Sequence, residues 1–300
     1  MYKFKGYHLF FFFFLLNSCE KSVVLNIDDF SSDETVNCLL TPDSSFLLQL
    51  SWSEKAGYDS AFPPINNANV SIIDEGTSIR LNFISQGKYG LDQKPSETNT
   101  YRLKVETKEG SVLTASTSVP VKPNAEVIAL PDNREQDIID ETYNTSAYSI
   151  TIKDHPDKKE FYWIAVQNNR YFYNDFQQEE IIYTDLKNSD DFNRNKSTYY
   201  PDMDYYHSFY IRIDDELWQG ETIRFKIRFD GSFSQKNRIC VISADTNLDH
   251  YMKSALIQYD QKNLGDAPIF FIPVNVYSNI ENGKGIFGSY SMSVFDFNYQ

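Results

Sequence analysis

Three cysteines and four histidines are all that 300 residues hold of these two types. That excludes a disulfide framework and leaves little for a zinc cage, which needs four ligands in short motifs. Three of the histidines, His155, His207 and His250, stand more than 40 residues apart in the chain. None of them forms a two-histidine metal spacing, and each reads as a surface or half-buried side chain. Basic residues are also short: 28 Lys and Arg face 42 Asp and Glu, a formal charge of −14. Such an excess of carboxylates repels phosphate and excludes a basic nucleic-acid binder. No run reaches the roughly 18 apolar residues of a transmembrane helix. No repeat at 20–50-residue spacing marks a propeller or solenoid. There is no Gly-x-Ser-x-Gly elbow and no Lys-Ser/Thr phosphate loop. Among so many acids the sequence singles out no glycosidase pair. Asp202-Met203-Asp204 and Asp214-Asp215-Glu216 lack the spaced oxygens and glycine of a calcium loop, and read as solvated turns. No catalytic residue, metal ligand or cofactor is expected.

Aromatics are plentiful. The 23 Phe, 21 Tyr and 3 Trp far exceed what a solvated coil carries, so the chain should fold. Its first segment reads as an address. Lys3 and Lys5 precede the apolar run Leu9 to Leu16, too short to span a membrane but suited to the core of an export signal. Leu16-Asn17-Ser18-Cys19 follows and resembles a bacterial lipobox, in which the cysteine is acylated and becomes the first mature residue. An ordinary secretory signal with a chance cysteine is the competing reading. Cleavage before Cys19 removes two lysines and no acid, taking the charge from −14 to −16. One acyl chain anchors only marginally, at about 0.8 kcal/mol per buried CH₂, whereas two or three, palmitate among them, anchor stably. Residues 19–34 read as a polar tether.

Strand patterns dominate the remainder. Thr222-Ile223-Arg224-Phe225-Lys226-Ile227-Arg228-Phe229 alternates strictly, and Tyr101 to Thr107, Tyr148 to Ile152, Phe209 to Ile213 and Tyr290 to Phe297 do the same. Period two means strands with one face buried and one wet. Residues 35–123 hold six candidate strands (35–41, 46–52, 68–74, 81–85, 100–107 and 112–119) and predict an immunoglobulin- or fibronectin-like sandwich. Pro120-Val121-Lys122-Pro123-Asn124 reads as a linker. Residues 124–300 predict a larger antiparallel β domain. One helix near 246–259 interrupts it, with Leu248, Tyr251, Met252, Ala255 and Tyr259 on one face and Asp245, Thr246 or Asn247 as cap. The fold class is therefore mainly all-β with one packed helix. Cys38 and Cys240 fall in strands of different domains and read as buried free thiols, with an interdomain bridge as the alternative.

Phe161-Tyr162-Trp163, Tyr171-Phe172-Tyr173, Tyr199-Tyr200 and Tyr205-Tyr206 lie in or beside polar segments. Tyrosine suits interfaces because its ring packs while its hydroxyl stays bonded, so the 171–206 region is a candidate binding surface. Phe161 and Trp163 are expected to face inward.

The segment Val276-Tyr277-Ser278-Asn279-Ile280-Glu281-Asn282-Gly283-Lys284-Gly285-Ile286-Phe287-Gly288-Ser289-Tyr290-Ser291 resembles the closing motif of the Bacteroidota lipoproteins grouped as domain-of-unknown-function family 4249. Ile239 to Ser243 running into the helix resembles that family too, as do Ala68 to Ile72 before Tyr101-Arg102-Leu103, and Val119-Pro120 closing the block. The resemblance implies a two-part β lipoprotein of the outer membrane, often encoded beside TonB-dependent transporters. It carries no catalytic residue over. Read locally, the glycines at 283, 285 and 288 supply positive φ or close approach and hold Ile286 and Phe287 as a plug, either a corner of the sandwich or a ligand loop. The expected function is a non-enzymatic binding accessory to TonB-dependent nutrient uptake, held to the outer membrane through Cys19, facing either periplasm or cell surface. A structural or adhesive envelope protein is the alternative, and a hydrolase with acid chemistry in its loops is the third class.

Overall fold

Alternation in sequence becomes alternation in burial. In the strand Thr100–Glu106, Tyr101, Leu103 and Val105 are buried while Arg102, Lys104 and Glu106 are exposed. The computed structural model describes residues 31–54, 61–130, 145–171, 179–183, 187–188, 210–215, 220–230, 236–263 and 275–298. In chain order the strands are β1 (Glu34–Leu40), β2 (Phe46–Trp52), β3 (Asn69–Asp74), β4 (Thr77–Ser85), β5 (Lys88–Leu91), β6 (Thr100–Glu106), β7 (Val112–Ser118) and β8 (Asn124–Ala129). They continue as β9 (Thr145–Lys153), β10 (Phe161–Tyr171), β11 (Glu179–Tyr183), β12 (Lys187–Asn188), β13 (Tyr210–Asp214), β14 (Thr222–Asp230) and β15 (Lys236–Ala244). The helix α1 (Thr246–Asn263) precedes the last strand, β16 (Lys284–Asn298). The described chain is mainly β with one helix, as the alternation predicts.

The first seven strands form a sandwich. β1, β2 and β5 pair in one layer, and β4, β3, β6 and β7 in the other. β4 turns the corner: its first half pairs with β3 and its second half with β5. Val36, Leu48, Leu50, Ile72, Leu103, Val105 and Leu113 fill the space between. Tyr101 opens β6, and its hydroxyl accepts from Ser96 N at 2.8 Å. A tyrosine at that corner bonding a few residues upstream is a hallmark of immunoglobulin-like sandwiches.

The second module has three layers. β12, β14, β9 and β8 form one sheet, and β11, β10, β15 and β16 another, with β13 also paired to β10. Ile150, Ile152, Ile223 and Ile227 of the first sheet meet Tyr162, Ile164, Val166, Ile211, Ile239 and Val241 of the second. Helix α1 covers the other face through Leu248, Tyr251, Met252 and Leu256, packed on Trp163, Ile242 and Tyr290. Phe161 to Val166 are therefore apolar or aromatic without alternation, because that strand is covered on both faces. Phe161 and Trp163 face inward as expected. Tyr259, expected on the packed helix face, is 53% exposed.

Strand β16 is the spine. It starts at Lys284, six residues before the alternation that the sequence displays, and runs parallel to β1 from Thr35↔Lys284 to Leu40↔Ser289. From Tyr290 on it runs antiparallel to β15. One face reads Phe287, Ser289, Ser291, Ser293, Phe295, Phe297. Phe287 enters the core of the first sandwich, and Phe295 and Phe297 pack on that of the second. The serines between them cross the segment leading from β7 to β8. Gly285 lies at φ 103, and a Cβ there would stand 1.9 Å from Val36 O, so only glycine lets β16 reach β1. Ile286 and Phe287 are buried as expected, but they lie within β16, paired with β1, rather than in a corner before the last strand.

Candidate functional site

The outer edge of β7 meets side-chain donors and one backbone bridge, at Glu281, where a pairing strand would otherwise lie. Val112 O accepts from Asn282 Nδ2 at 3.0 Å, and Thr114 O from Glu281 N at 2.8 Å. Ser116 O accepts from Asn247 Nδ2 at 2.9 Å, and Ser118 O from Ser289 Oγ at 2.8 Å. Beyond the strand, Pro120 O accepts from Ser291 Oγ at 2.6 Å and Pro123 O from Ser293 Oγ at 2.8 Å. Proline has no N–H, so this stretch cannot run a normal ladder, and short hydroxyls supply its donors. An exposed edge invites pairing with another chain, and the closing motif covers this one. Asn279 holds the motif in place: its Nδ2 donates to Phe287 O at 2.8 Å, and its Oδ1 accepts from Phe287 N at 2.9 Å.

A shallow groove of about 350 Å³ lies along that edge. Strands β6 and β7 present Arg102, Lys104, Thr114 and Ser116 outward, paired Arg102↔Ser116 and Lys104↔Thr114. The start of α1 adds Asn247, and the closing motif adds Asn279 and Glu281. Asp245 places Asn247. Its Oδ1 accepts from Leu248 N at 2.9 Å, capping the helix, and from Ser289 N at 3.0 Å. Its Oδ2 accepts from Thr117 Oγ1 at 2.7 Å and from Asn247 Nδ2 at 3.1 Å. Burial raises the Asp245 carboxyl above its ordinary range, against these four donors. Within the groove Thr114 Oγ1 donates to Glu281 Oε2 at 2.5 Å, and Lys104 pairs with Glu106 at 2.7 Å. The Arg102 side chain has no hydrogen bond or ion pair among the described residues. Its guanidinium fork is free to take a carboxylate or phosphate in two parallel bonds. The volume falls at the lower end of small-ligand sites, about 300–1,000 Å³.

Two polar clusters lie away from the groove. Asp249 of α1 is fully buried and accepts from Arg212 Nε at 2.7 Å, Arg212 Nη2 at 2.8 Å and Trp163 Nε1 at 2.9 Å. This clamp fixes α1 to β10 and β13. Asp154 and Glu160 flank the Tyr162 hydroxyl at one end of the second module, and Asp215 accepts from Glu160 N beside them. Asp215 was expected in a solvated turn but is 0% exposed, because β13 carries it under the turn before β10. Asp214 beside it is half-buried, and Glu216 lies outside the described residues. So do Asp202 and Asp204, His207 and Cys19, together with the side chains of the 171–206 aromatic region. His155 and His250 are exposed. Cys38 and Cys240 are buried free thiols, pushed by burial up to about 12 and about 11.

Sequence reasoning did not find the groove. Its residues come from three stretches that only β16 brings together. The closing motif was the available signal, since its asparagines and serines exceed what a turn requires.

A family profile described as a domain of unknown function, DUF4249, matches residues 20–295. The chain belongs to the DUF4249 family. A comparison with curated proteins finds no match. Among solved structures, a DUF3823 family protein from Bacteroides uniformis is 9% identical, covering 90% of this chain and 100% of that one at a TM-score of 0.22. Trypsin-activated alpha-2-macroglobulin from Escherichia coli is 8% identical, covering 71% of this chain at a TM-score of 0.21. A Salmonella alpha-2-macroglobulin mutant is 10% identical, covering 72% at a TM-score of 0.21. This DUF4249 chain spans 14% of the length of either macroglobulin.

Proposed function

We propose that this DUF4249 chain is a lipid-anchored, non-enzymatic binding module of the outer membrane, serving a TonB-dependent nutrient transporter. The observation that carries the binding role is the groove beside β7, where Arg102 offers an unpaired cation among amide and hydroxyl groups. Those groups suit a small ligand that bears an acidic group and hydroxyls. The anchor rests on Leu16-Asn17-Ser18-Cys19, with the polar residues between Cys19 and β1 as its tether. Anchoring raises local concentration near a membrane partner, as any linker does. The excess of acids favours a partner with a basic face and makes that contact salt-sensitive. Extraction of a tagged copy in mild detergent should co-purify a large β-barrel protein, more at low salt than at high. Recovery of the tagged chain alone at every salt concentration would count against the partnership.

A further inference from the structure

Asp154, Glu160 and Asp215 are 8%, 7% and 0% exposed, and one phenol serves two of them. The Tyr162 hydroxyl lies 2.8 Å from Asp154 Oδ1 and 2.5 Å from Glu160 Oε2. A phenol carries one proton. It can fill only one of these two contacts. The other would set two bare oxygens in van der Waals collision unless a carboxyl group brings its own hydrogen.

Asp154 is the natural anion of the pair. Its Oδ2 already accepts from Gly220 N at 2.8 Å. The Glu160 carboxyl has no second donor among the described residues. Its backbone N–H is spent on Asp215 Oδ2, and Asp215 Oδ1 has no hydrogen-bond partner among the described residues. Two neighbouring carboxylates and an unsatisfied buried oxygen disfavour a further negative charge at this place.

We infer that Glu160 is a carboxylic acid that donates to the Tyr162 hydroxyl while Tyr162 donates to Asp154, and that this shared proton is a pH-sensitive latch across the second module. The latch joins both sheets. Tyr162 stands on β10, whereas Asp154 follows β9 and is tied to the start of β14 by Asp154 N donating to Glu221 O at 3.0 Å. Glu160 and Asp215 close the same end between β10 and β13, with Asp215 N donating to Glu160 O at 3.4 Å.

The charged groups around it are few. His155 and Lys158 of the β9–β10 turn oppose the proton. Lys159 and Arg212 lie at 3.7 Å and 3.5 Å from Asp214. Burial raises Glu160 above the ordinary glutamate range, with the Asp154 charge adding to it. Burial likewise pushes Asp215 up to about 6. A carboxyl raised in the closed state favours closure at low pH, and that preference is lost as pH rises through the closed-state value. Between the open and closed values, one released proton makes opening about tenfold easier per pH unit.

Hydrogen exchange at Glu160 N and Asp215 N tests the latch in the whole chain between pH 5 and 8, after correction for intrinsic exchange. Protection should fall by tenfold or more in the wild type. Glu160→Gln supplies a permanent N–H donor and should show a clearly smaller fall than the wild type, the remainder being the part that Asp215 contributes. Tyr162→Phe breaks the relay and should lower protection at pH 5 and shrink the fall between pH 5 and 8. Equal wild-type protection at both ends, or the same fall in Glu160→Gln, would overturn the inference. Millimolar calcium restoring protection at pH 8 would overturn it as well, because the carboxylates would then be holding a cation rather than a proton.

Discussion

Ser291 donates its hydroxyl to the carbonyl of Pro120 at 2.6 Å, across 171 residues of chain. Ser289 and Ser293 do the same for Ser118 and Pro123, so three alternate residues of one strand fasten the whole crossing between the modules. Ser291 is buried but Pro120 is half-buried, so its carbonyl left without a donor costs about 1 kcal/mol, the low end of the range for buried groups. Ser291→Ala should lower stability by that amount in urea unfolding, with an unchanged m-value. Ser71→Ala, at an exposed bond to Lys104 O, should fall within about 0.5 kcal/mol of the wild type.

The Arg212–Asp249 clamp gives a sharper contrast. Removing Arg212 strands a fully buried carboxylate, and breaking such a pair costs about 3–5 kcal/mol. Arg212→Met should therefore be strongly destabilising. Arg212→Met with Asp249→Leu should cost much less than the sum of the two single changes, since no charge is then left unpaired. A double-mutant cycle in denaturant measures the difference. Additive effects would show that the two side chains act independently.

Burial holds the Cys38 thiol up to about 12 and that of Cys240 up to about 11. The thiolate is the reactive form, and at pH 8 it is about one part in a thousand or less of either group. Peptide mass spectrometry after iodoacetamide at pH 8 should find both unmodified in the folded chain and both alkylated in urea. Rapid labelling of either in the folded chain would mean that its strand opens locally.

The anchor has its own test. Radiolabelled fatty acid should enter the wild type and be absent from Cys19→Ala, which should pass to the soluble fraction. Equal membrane retention of that variant would contradict lipidation at Cys19.

Much of the fold was legible because burial follows period two wherever one face is wet. β2, β6, β7 and β14 are found within a residue or two of where the alternation puts them. The start of α1 was legible too, since Asp245 is one of three residues able to cap it. The parallel pairing of β1 with β16 was not, because Gly285 and Gly288 interrupt the alternation that would have extended the last strand back to Lys284. Asp215 defeats composition-based reading outright. A carboxylate beside two other acids looks solvated until the turn that covers it is known. The groove stayed hidden for a related reason. Arg102 looks like any outward residue of a half-buried strand, and only the crossing of β16 brings Asn247, Asn279 and Glu281 to its side.

Capture of a small acidic molecule in that groove is the central claim. The direct measurement is native mass spectrometry of the full chain purified gently from its own membranes, wild type beside Arg102→Glu. An exposed surface substitution of this kind should change stability by no more than about 0.5 kcal/mol, so any difference reports the groove. The account predicts a bound acidic small molecule on the wild type that is lost from Arg102→Glu. The same molecule retained by both chains, or none on either, would contradict it.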